Sequence, residues 1–346
     1  MIALLRVSLA FLCNFASGPA TVLSNKSVFT HAQFHYPVAL TICHYVFTWL
    51  TVRLLARFGV YERMSLQLLS PAKTDTPAKA IICLIVVWSL YNIASNASLS
   101  QNSVGMYQMV KLLMTPFAVL WDFAMYGRKP TAWQAVLLTM AVFGISQCTV
   151  SGIQNGEVTR FGLAVALLST LFAVVQKGLT THVVQYTSVK LSPLQLLEFA
   201  MPWMGLITVV SAIVLEDVTG VLTYQPSGLR SLAILLSSVC GMLANVSSTW
   251  VLGLTSPIAH ILLGQLKTVT VLLGGFVFFD ARPSLRTLLG AFCTLLAITM
   301  YALSKTFKSD KEATSSASTR VDCDDEEAAL KVGEGKLPSS IRTSEV

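Results

Sequence analysis

The chain has 346 residues, of which 54% are hydrophobic and only 12% are charged, and its mean hydropathy is +0.66. Soluble domains carry about 25% charged residues because their surfaces face water, so this composition excludes an ordinary soluble fold. The formal net charge of +7 comes from polar segments between long apolar runs, and it does not indicate nucleic-acid binding. Apolar and polar residues do not alternate at period two, which argues against a β-barrel.

Apolar runs of about 20 residues match the hydrocarbon layer of a bilayer, because a helix rises about 1.5 Å per residue. We count ten such runs and predict an all-α integral membrane protein. The first run starts close to Met1 without a cleavage signal, so we interpret it as a retained helix. The ten predicted spans cover about 3–24, 36–57, 79–98, 103–126, 131–151, 160–181, 192–215, 229–252, 256–279 and 284–304.

The last segment, 306–346, differs in composition from the rest of the chain. It is rich in Ser, Thr, Lys and acidic residues, and it has too few apolar side chains to form a core. We therefore predict one helical domain over 1–305, followed by a disordered tail. Lysines and arginines such as Arg57 and Lys129 concentrate on the side of the membrane where the predicted spans place the N-terminus. The positive-inside rule makes that side the cytosol, and an even number of spans places the C-terminus there too.

The two halves of the chain resemble each other. Asn92-Ile-Ala-Ser and Asn245-Val-Ser-Ser each precede an apolar run that contains a lone lysine, Lys111 or Lys267. Each half, about 1–155 and 156–305, holds five predicted spans, and an odd number of spans makes the second half enter the membrane in the opposite sense. We therefore predict two inverted five-helix repeats, an arrangement that places a binding site near the midplane.

Lys111 and Lys267 lie well inside their predicted spans. A lysine at this depth costs roughly 2.5–3.5 kcal/mol on insertion scales, so each lysine should face a cavity or a partner. One interpretation is structural, with each ammonium group satisfied by helix-end carbonyls or by a buried acid. The other is functional, because two ammonium groups suit a phosphate or a diphosphate. We favour the functional interpretation, since the two lysines occupy equivalent positions in the repeats.

Helical spacing places further candidate ligands beside these lysines. Tyr107 lies one turn before Lys111, with Gln108 alongside it. Gly264 shares a helical face with Lys267 and would let a ligand approach the backbone closely. We therefore expect these residues to line the same site as the lysines.

Other polar residues in apolar runs allow two interpretations. Asn102 and Asn245 are candidates for recognising hydroxyl groups, since amides both donate and accept, but they equally suit hydrogen bonds between helices. We expect Glu198 to pair with Lys177 near the cytosolic side, and we expect His260 to be a helix-end or packing residue. The chain has no P-loop, no HExxH and no catalytic triad, and we expect neither a cofactor nor a metal site.

Two stretches of the chain resemble a known family. Asn102-Ser-Val-Gly-Met-Tyr-Gln-Met-Val-Lys111 is similar to the NSVGFYQMxK stretch of the nucleotide-sugar transporter and triose-phosphate translocator family, within the drug/metabolite transporter superfamily. The residues from Thr255 to Thr268 resemble its TSPxxxxxLGxLKT stretch. The pair Lys267-Thr268 resembles the KT branch, whose members carry UDP-sugars in the Golgi, and this adds Thr268 to the candidate ligands.

The resemblance implies ten helices in two inverted repeats and the exchange of a cytosolic nucleotide sugar for a lumenal nucleoside monophosphate by alternating access. We therefore expect a Golgi or endoplasmic reticulum protein whose partners are these two ligands and lipid, with homo-oligomerisation left open. A sugar-phosphate exchanger of the same family is the main alternative. Two others are a membrane-embedded enzyme that uses a nucleotide sugar, with Glu198 and His260 as acid and base, and a scaffold that acts through the tail.

Overall fold

The computed structural model describes residues 2–63, 78–154, 156, 159–183, 192–252, 257–279 and 283–305. All regular secondary structure in these ranges is helical, which confirms the predicted all-α class. The predicted tail, 306–346, lies outside the described residues. The helices are α1 (Ile2–Thr30), α2 (Pro37–Arg57), α3 (Ala78–Gln101), α4 (Val104–Lys111), α5 (Met114–Tyr126), α6 (Ala132–Gln154), α7 (Arg160–Thr181), α8 (Pro193–Leu215), α9 (Val218–Thr223), α10 (Gly228–Leu252), α11 (Pro257–Phe278) and α12 (Leu285–Lys305).

Eight helical segments are long and apolar enough to cross a bilayer, namely α2, α3, α4 with α5, α6, α7, α8, α10 and α12. The described apolar part of α11 is the shorter segment Leu266–Phe278. The chain is therefore a multi-pass membrane protein, as predicted. The count of ten spans and the inverted repeat remain predictions.

Polar and apolar side chains are distributed as a lipid environment requires. Many large apolar side chains are exposed, among them Leu12, Phe143, Phe161, Val214 and Phe292. Conversely, uncharged polar side chains are almost completely buried, including Asn14, Thr48, Ser89 and Thr294. Because a buried polar group is costly unless it is hydrogen-bonded, the interior depends on hydrogen bonds between helices as well as on apolar packing.

The predicted fourth span is interrupted beside Lys111. Helix α4 ends at this lysine, and Leu112 and Leu113 separate it from α5. The amide groups of these two leucines donate to carbonyls three residues earlier, as in a 3₁₀ turn. Pro116 accounts for the interruption, because it lacks the amide hydrogen that would bond to the Leu112 carbonyl, and its ring crowds that group. A lysine predicted inside a continuous helix therefore lies at a break between two helices.

Side chains at one end of the bundle connect neighbouring helix termini. The Lys26 ammonium on α1 donates to the Leu99 carbonyl of α3 at 3.1 Å. The Glu216 carboxylate, just after α8, accepts hydrogen bonds from the amides of Val38 at 2.6 Å and Ala39 at 3.0 Å. Both contacts satisfy backbone groups that a helix end leaves unpaired, and the carboxylate also suits the positive end of the α2 dipole.

The opposite end of the bundle holds Glu198, near the start of α8. Its carboxylate pairs with Arg63 at 3.5 Å and accepts a hydrogen bond from the Tyr61 hydroxyl at 3.0 Å. Burial, followed by the neighbouring carboxylate, raises the pKa of Tyr61, so its hydroxyl stays protonated and donates. The predicted pairing of Glu198 with Lys177 is therefore wrong, because the chain that follows α2 brings its own arginine to the start of α8.

Candidate functional site

A cavity of about 570 Å³ lies between α1, α2, α3, α4, α7, α10 and α11, and we call it the central cavity. Its volume falls within the range of about 300–1,000 Å³ that is typical of small-ligand sites. The packing of α1 against α10 and of α3 against α7 forms its walls. Asparagine, serine, threonine, tyrosine and lysine side chains contribute most of its polar lining.

Three lysines from different helices line the central cavity: Lys111 on α4, Lys177 on α7 and Lys267 on α11. Neither Asp nor Glu occurs among the described residues of this lining. The described part of the chain also contains no cluster of His, Cys, Asp and Glu that could hold a metal ion. Cations without counter-charges are costly in a low-dielectric environment, and they attract an anion strongly there. The cavity is therefore suited to an anionic ligand.

Aromatic and hydroxyl groups hold Lys111 in place. Its ammonium donates to the Tyr107 hydroxyl at 2.6 Å and lies 4.6 Å from the centre of the same ring. The ring of Tyr91 is 5.6 Å away on another side. The Tyr107 hydroxyl in turn lies 2.8 Å from the Ser95 hydroxyl on α3. These neutral groups orient the ammonium and leave its positive charge uncompensated.

Lys267 is held from α1. Its ammonium donates to the Asn14 side-chain oxygen, and the Asn14 amide donates to the Ser247 hydroxyl on α10 at 3.2 Å. Gly18 lies one turn further along α1, and a Cβ atom there would be 3.2 Å from the Lys267 Cδ atom. The glycine therefore leaves the space that the lysine side chain occupies, and Asn14 fixes the position of its charge.

Neutral polar side chains form another part of the central cavity, which we call the polar wall: Asn25, Thr41, His44 and Asn96. The Asn25 amide donates to Asn96 at 3.0 Å, and the Asn96 amide donates to Thr41 at 2.7 Å. Ser237 joins the network by donating to Asn25 at 2.6 Å, and it lies 3.1 Å from His44 Nε2. Amides and hydroxyls held in fixed orientations can recognise the hydroxyls of a sugar or the edge of a base.

A second cavity of about 490 Å³ adjoins the central cavity near the ends of α5 and α12. Asp122 lines it, but this carboxylate lies 3.4 Å from the Lys305 ammonium. The two cavities share Gln108, Lys111, Lys177 and Thr181. Two of the lysines therefore lie where the cavities meet, within reach of a ligand in either one.

The structure separates the predicted ligands into three groups. One group lines the central cavity and comprises Lys111, Lys267, Tyr107, Gln108 and Asn245. Gly264 and Thr268 line the second cavity, where the Gln108 amide donates to the Thr268 hydroxyl at 2.9 Å. Asn102 lines neither cavity, because its buried amide donates to the Gly162 carbonyl at 2.9 Å and joins α3 to α7. The side chain of His260 is outside the described residues.

Sequence reasoning missed Lys177 and the α1 residues Asn14 and Gly18. Lys177 lies toward the end of its span, where a lysine can reach the membrane interface, so its position alone predicts a peripheral charge. The adjacent Gln176 was the available signal, since two consecutive polar residues in an apolar run cannot both face lipid. Both residues line the central cavity. Asn14 lies in an apolar run, which is the signal that selected Asn102 and Asn245, whereas for Gly18 the sequence offers no comparable signal.

Comparison with known proteins gives consistent matches over the helical domain. Residues 5–302 match the triose-phosphate transporter family. The nucleotide-sugar uncharacterized transporter 2 of Arabidopsis thaliana is 31% identical over 297 residues, which cover 83% of this chain and 69% of that protein. UDP-xylose transporter 1 of the same plant is 26% identical, over 90% of this chain and 87% of its own. UDP-rhamnose/UDP-galactose transporter 1, also from this plant, is 22% identical, over 88% and 85%.

The fold is also shared with a solved structure. A crystal structure superposes with a TM-score of 0.56 at 15% sequence identity, over 86% of this chain and 97% of the other. Because the identity is so low, this likeness shows the fold alone. The family match, in contrast, includes both sequence stretches that carry Lys111 and Lys267.

Proposed function

The chain belongs to the triose-phosphate transporter family, and we propose that it exchanges a nucleotide sugar for a nucleoside monophosphate across an internal membrane. Membership confirms the resemblance in the two motifs, and it makes the protein a transporter and not an enzyme. Similar plant proteins named for UDP-xylose and for UDP-rhamnose or UDP-galactose favour a UDP-sugar. The observation that carries the proposal is a central cavity with three lysines and, among its described lining residues, no carboxylate.

In this proposal the phosphates of the ligand bind between Lys111 and Lys267. Ammonium groups suit phosphate oxygens, and Tyr107 and Asn14 already hold the two lysines in position. The polar wall and Asn245 face the uncharged part of the ligand, where amides and hydroxyls can bind sugar hydroxyls or a base. The monophosphate uses the same lysines on the return step.

Uncompensated charge in the cavity supplies a physical reason for strict exchange. An empty carrier would have to carry its lysines through the conformational change without counter-charges, which raises the barrier. A bound anion lowers that barrier, so the carrier changes conformation when a ligand is present. The contact between the two cavities at Lys111 and Lys177, beside the break between α4 and α5, supports alternating access at this point.

The proposed membrane arrangement follows from the sequence. We infer ten spans in two inverted repeats, with both termini and the 306–346 tail in the cytosol, because lysines and arginines concentrate on that side. A Golgi membrane, or that of the endoplasmic reticulum, is the location we propose. Epitope tags at either terminus, probed by protease in sealed Golgi vesicles, should be digested from the outside, and protection of either tag would contradict this orientation.

The exchange proposal is testable with the full chain in proteoliposomes. Vesicles loaded with UMP should take up labelled UDP-xylose or UDP-galactose, whereas unloaded vesicles should not. Replacing Lys267 with alanine should abolish uptake, while Lys79→Ala, which removes a charge from an exposed position outside both cavities, should preserve it. Equal uptake with and without internal UMP, or wild-type uptake by Lys267→Ala, would overturn the proposal.

A sugar-phosphate exchanger is the second candidate, and the description of the matched family favours it. The same vesicles, loaded with inorganic phosphate and offered labelled triose phosphate, separate the two candidates. Uptake of triose phosphate together with no uptake of any UDP-sugar would replace the first proposal by this one.

A further inference from the structure

Lys177 differs from the other two lysines of the central cavity in how it is held. Lys111 donates to Tyr107, and Lys267 donates to Asn14. Within the described part of the chain, Lys177 makes neither a hydrogen bond nor an ion pair, and its side chain is exposed inside the cavity. Its ammonium is therefore free to move with a ligand.

Lys177 shares the central cavity with Lys111 and Lys267, so the three positive charges face one enclosed space. It also lines both cavities, which Lys267 does not. Among the described lining residues no Asp or Glu faces these three lysines, and an anion bound between them would supply the counter-charge. The three ammonium groups can therefore contact more than one phosphate group.

We propose that Lys177 contacts the second phosphate of a diphosphate ligand and so makes the carrier prefer nucleotide diphosphate compounds over monophosphates of the same base. This inference rests on the proposed function. We assign the first phosphate of the diphosphate to Lys111 and Lys267, which are fixed by their neighbours. The long, unattached side chain of Lys177 can reach the next phosphate, whose position along the ligand is set by the first.

A purely structural role for Lys177 is disfavoured by the same contacts. A structural lysine in a membrane helix satisfies helix-end carbonyls, as Lys26 does with the Leu99 carbonyl. Lys177 has no such contact among the described residues, so removing its charge takes no bond from the fold. Its replacement by glutamine should therefore leave the unfolding temperature of the ligand-free protein unchanged or higher.

The experiment compares UDP and UMP, which differ by one phosphate, as ligands of the purified full chain in titration calorimetry. Lys177→Gln should weaken UDP binding by about tenfold, the loss of one charge-assisted hydrogen bond, and change UMP binding by less than about threefold. Lys79→Gln, which removes an equal charge outside both cavities, should change neither. Lys177→Arg, which keeps the charge, should retain the preference for UDP, and Lys177→Met, which removes the charge at similar side-chain length, serves as the test variant if Lys177→Gln unfolds.

The outcomes separate this inference from the proposed function. If the wild-type protein binds neither UMP nor UDP, both the proposed function and the Lys177 inference are wrong. Wild-type binding together with an unchanged UDP-to-UMP ratio in Lys177→Gln would overturn the Lys177 inference alone. Equal weakening of both ligands would also overturn it, because it would show general attraction of anions without selection for a second phosphate.

Discussion

Replacing Asn14 with aspartate tests whether the charge of Lys267 is available to a ligand. Asn14 accepts a hydrogen bond from the Lys267 ammonium, and asparagine and aspartate have nearly the same shape. Aspartate would therefore keep the contact while neutralising the charge. A lysine that only stabilises the fold would tolerate the change, whereas a lysine that binds phosphate would not.

The expected magnitude follows from simple electrostatics. Two unit charges 4 Å apart attract by about 4 kcal/mol at an effective dielectric constant of 20. The aspartate would add such an attraction to the empty site, and it would repel a phosphate that approaches Lys267. If only about a third of that energy, roughly 1.4 kcal/mol, is lost from ligand binding, affinity falls tenfold. We therefore expect the KM for UDP-sugar exchange to rise by at least about tenfold.

Two matched variants separate charge from geometry in the proteoliposome assay. Asn14→Leu removes the hydrogen bond without adding a charge, so the Lys267 ammonium keeps its full attraction for a phosphate and the rise in KM should be smaller than that of Asn14→Asp. Gln147→Glu adds the same negative charge beside Arg286, outside both cavities, and should leave KM unchanged. A wild-type KM for Asn14→Asp, or a larger effect for Asn14→Leu, would refute the reasoning.

Three other substitutions probe how the lysines are held. Gly18→Ala places a methyl group 3.2 Å from the Lys267 Cδ atom and should displace the lysine, so the KM for exchange should rise about threefold. Gly205→Ala is the control and should have no effect, because no atom lies within 4 Å of the added methyl group. Tyr107→Phe removes the hydroxyl that orients Lys111, and calorimetry should show UMP binding weakened by about three- to tenfold; unchanged binding would contradict this role. Lys267→Gln removes an uncompensated charge, so the ligand-free variant should unfold at a higher temperature than the wild type. Added UMP should no longer raise that temperature. A lower unfolding temperature of the ligand-free variant would instead indicate a structural lysine.

The helices that the sequence predicts best are those whose limits are set by local chemistry. The predicted spans 36–57 and 192–215 correspond closely to α2 (Pro37–Arg57) and α8 (Pro193–Leu215). In both, a proline occupies the first helical position, where its missing amide hydrogen costs nothing. Bilayer thickness then fixes the length, so composition alone predicts the helix.

Other features of the fold depend on partners that are distant in sequence. Helix α1 continues to Thr30, beyond its predicted end near residue 24, because the polar side chains of its last turns bond to other helices. Asn25, for example, donates to Asn96 on α3. A hydropathy pattern ends the span at the first polar residues, since it cannot show that they are buried.

The same distinction applies to the site. Lys111 and Lys267 could be predicted because a charge inside an apolar run needs a cavity or a partner wherever the helix packs. Asn102 and Asn245 could not be distinguished, because an asparagine suits both a ligand and a neighbouring helix. Only the packing shows that Asn102 bonds to the backbone of α7, whereas Asn245 lines the central cavity and also donates to Thr48 on α2.

The choice of neutral partners for the lysines explains how a cavity in a membrane can both position cations and remain ready for an anion. A carboxylate facing Lys111 or Lys267 would have compensated its charge, and it would have competed with every phosphate that entered. Tyr107 and Asn14 accept hydrogen bonds without carrying charge, so they restrict the geometry while the electrostatic attraction remains. In the proposed function, a bound ligand would offset the cost of the unpaired charges, and occupancy of the cavity would then stabilise the surrounding helices.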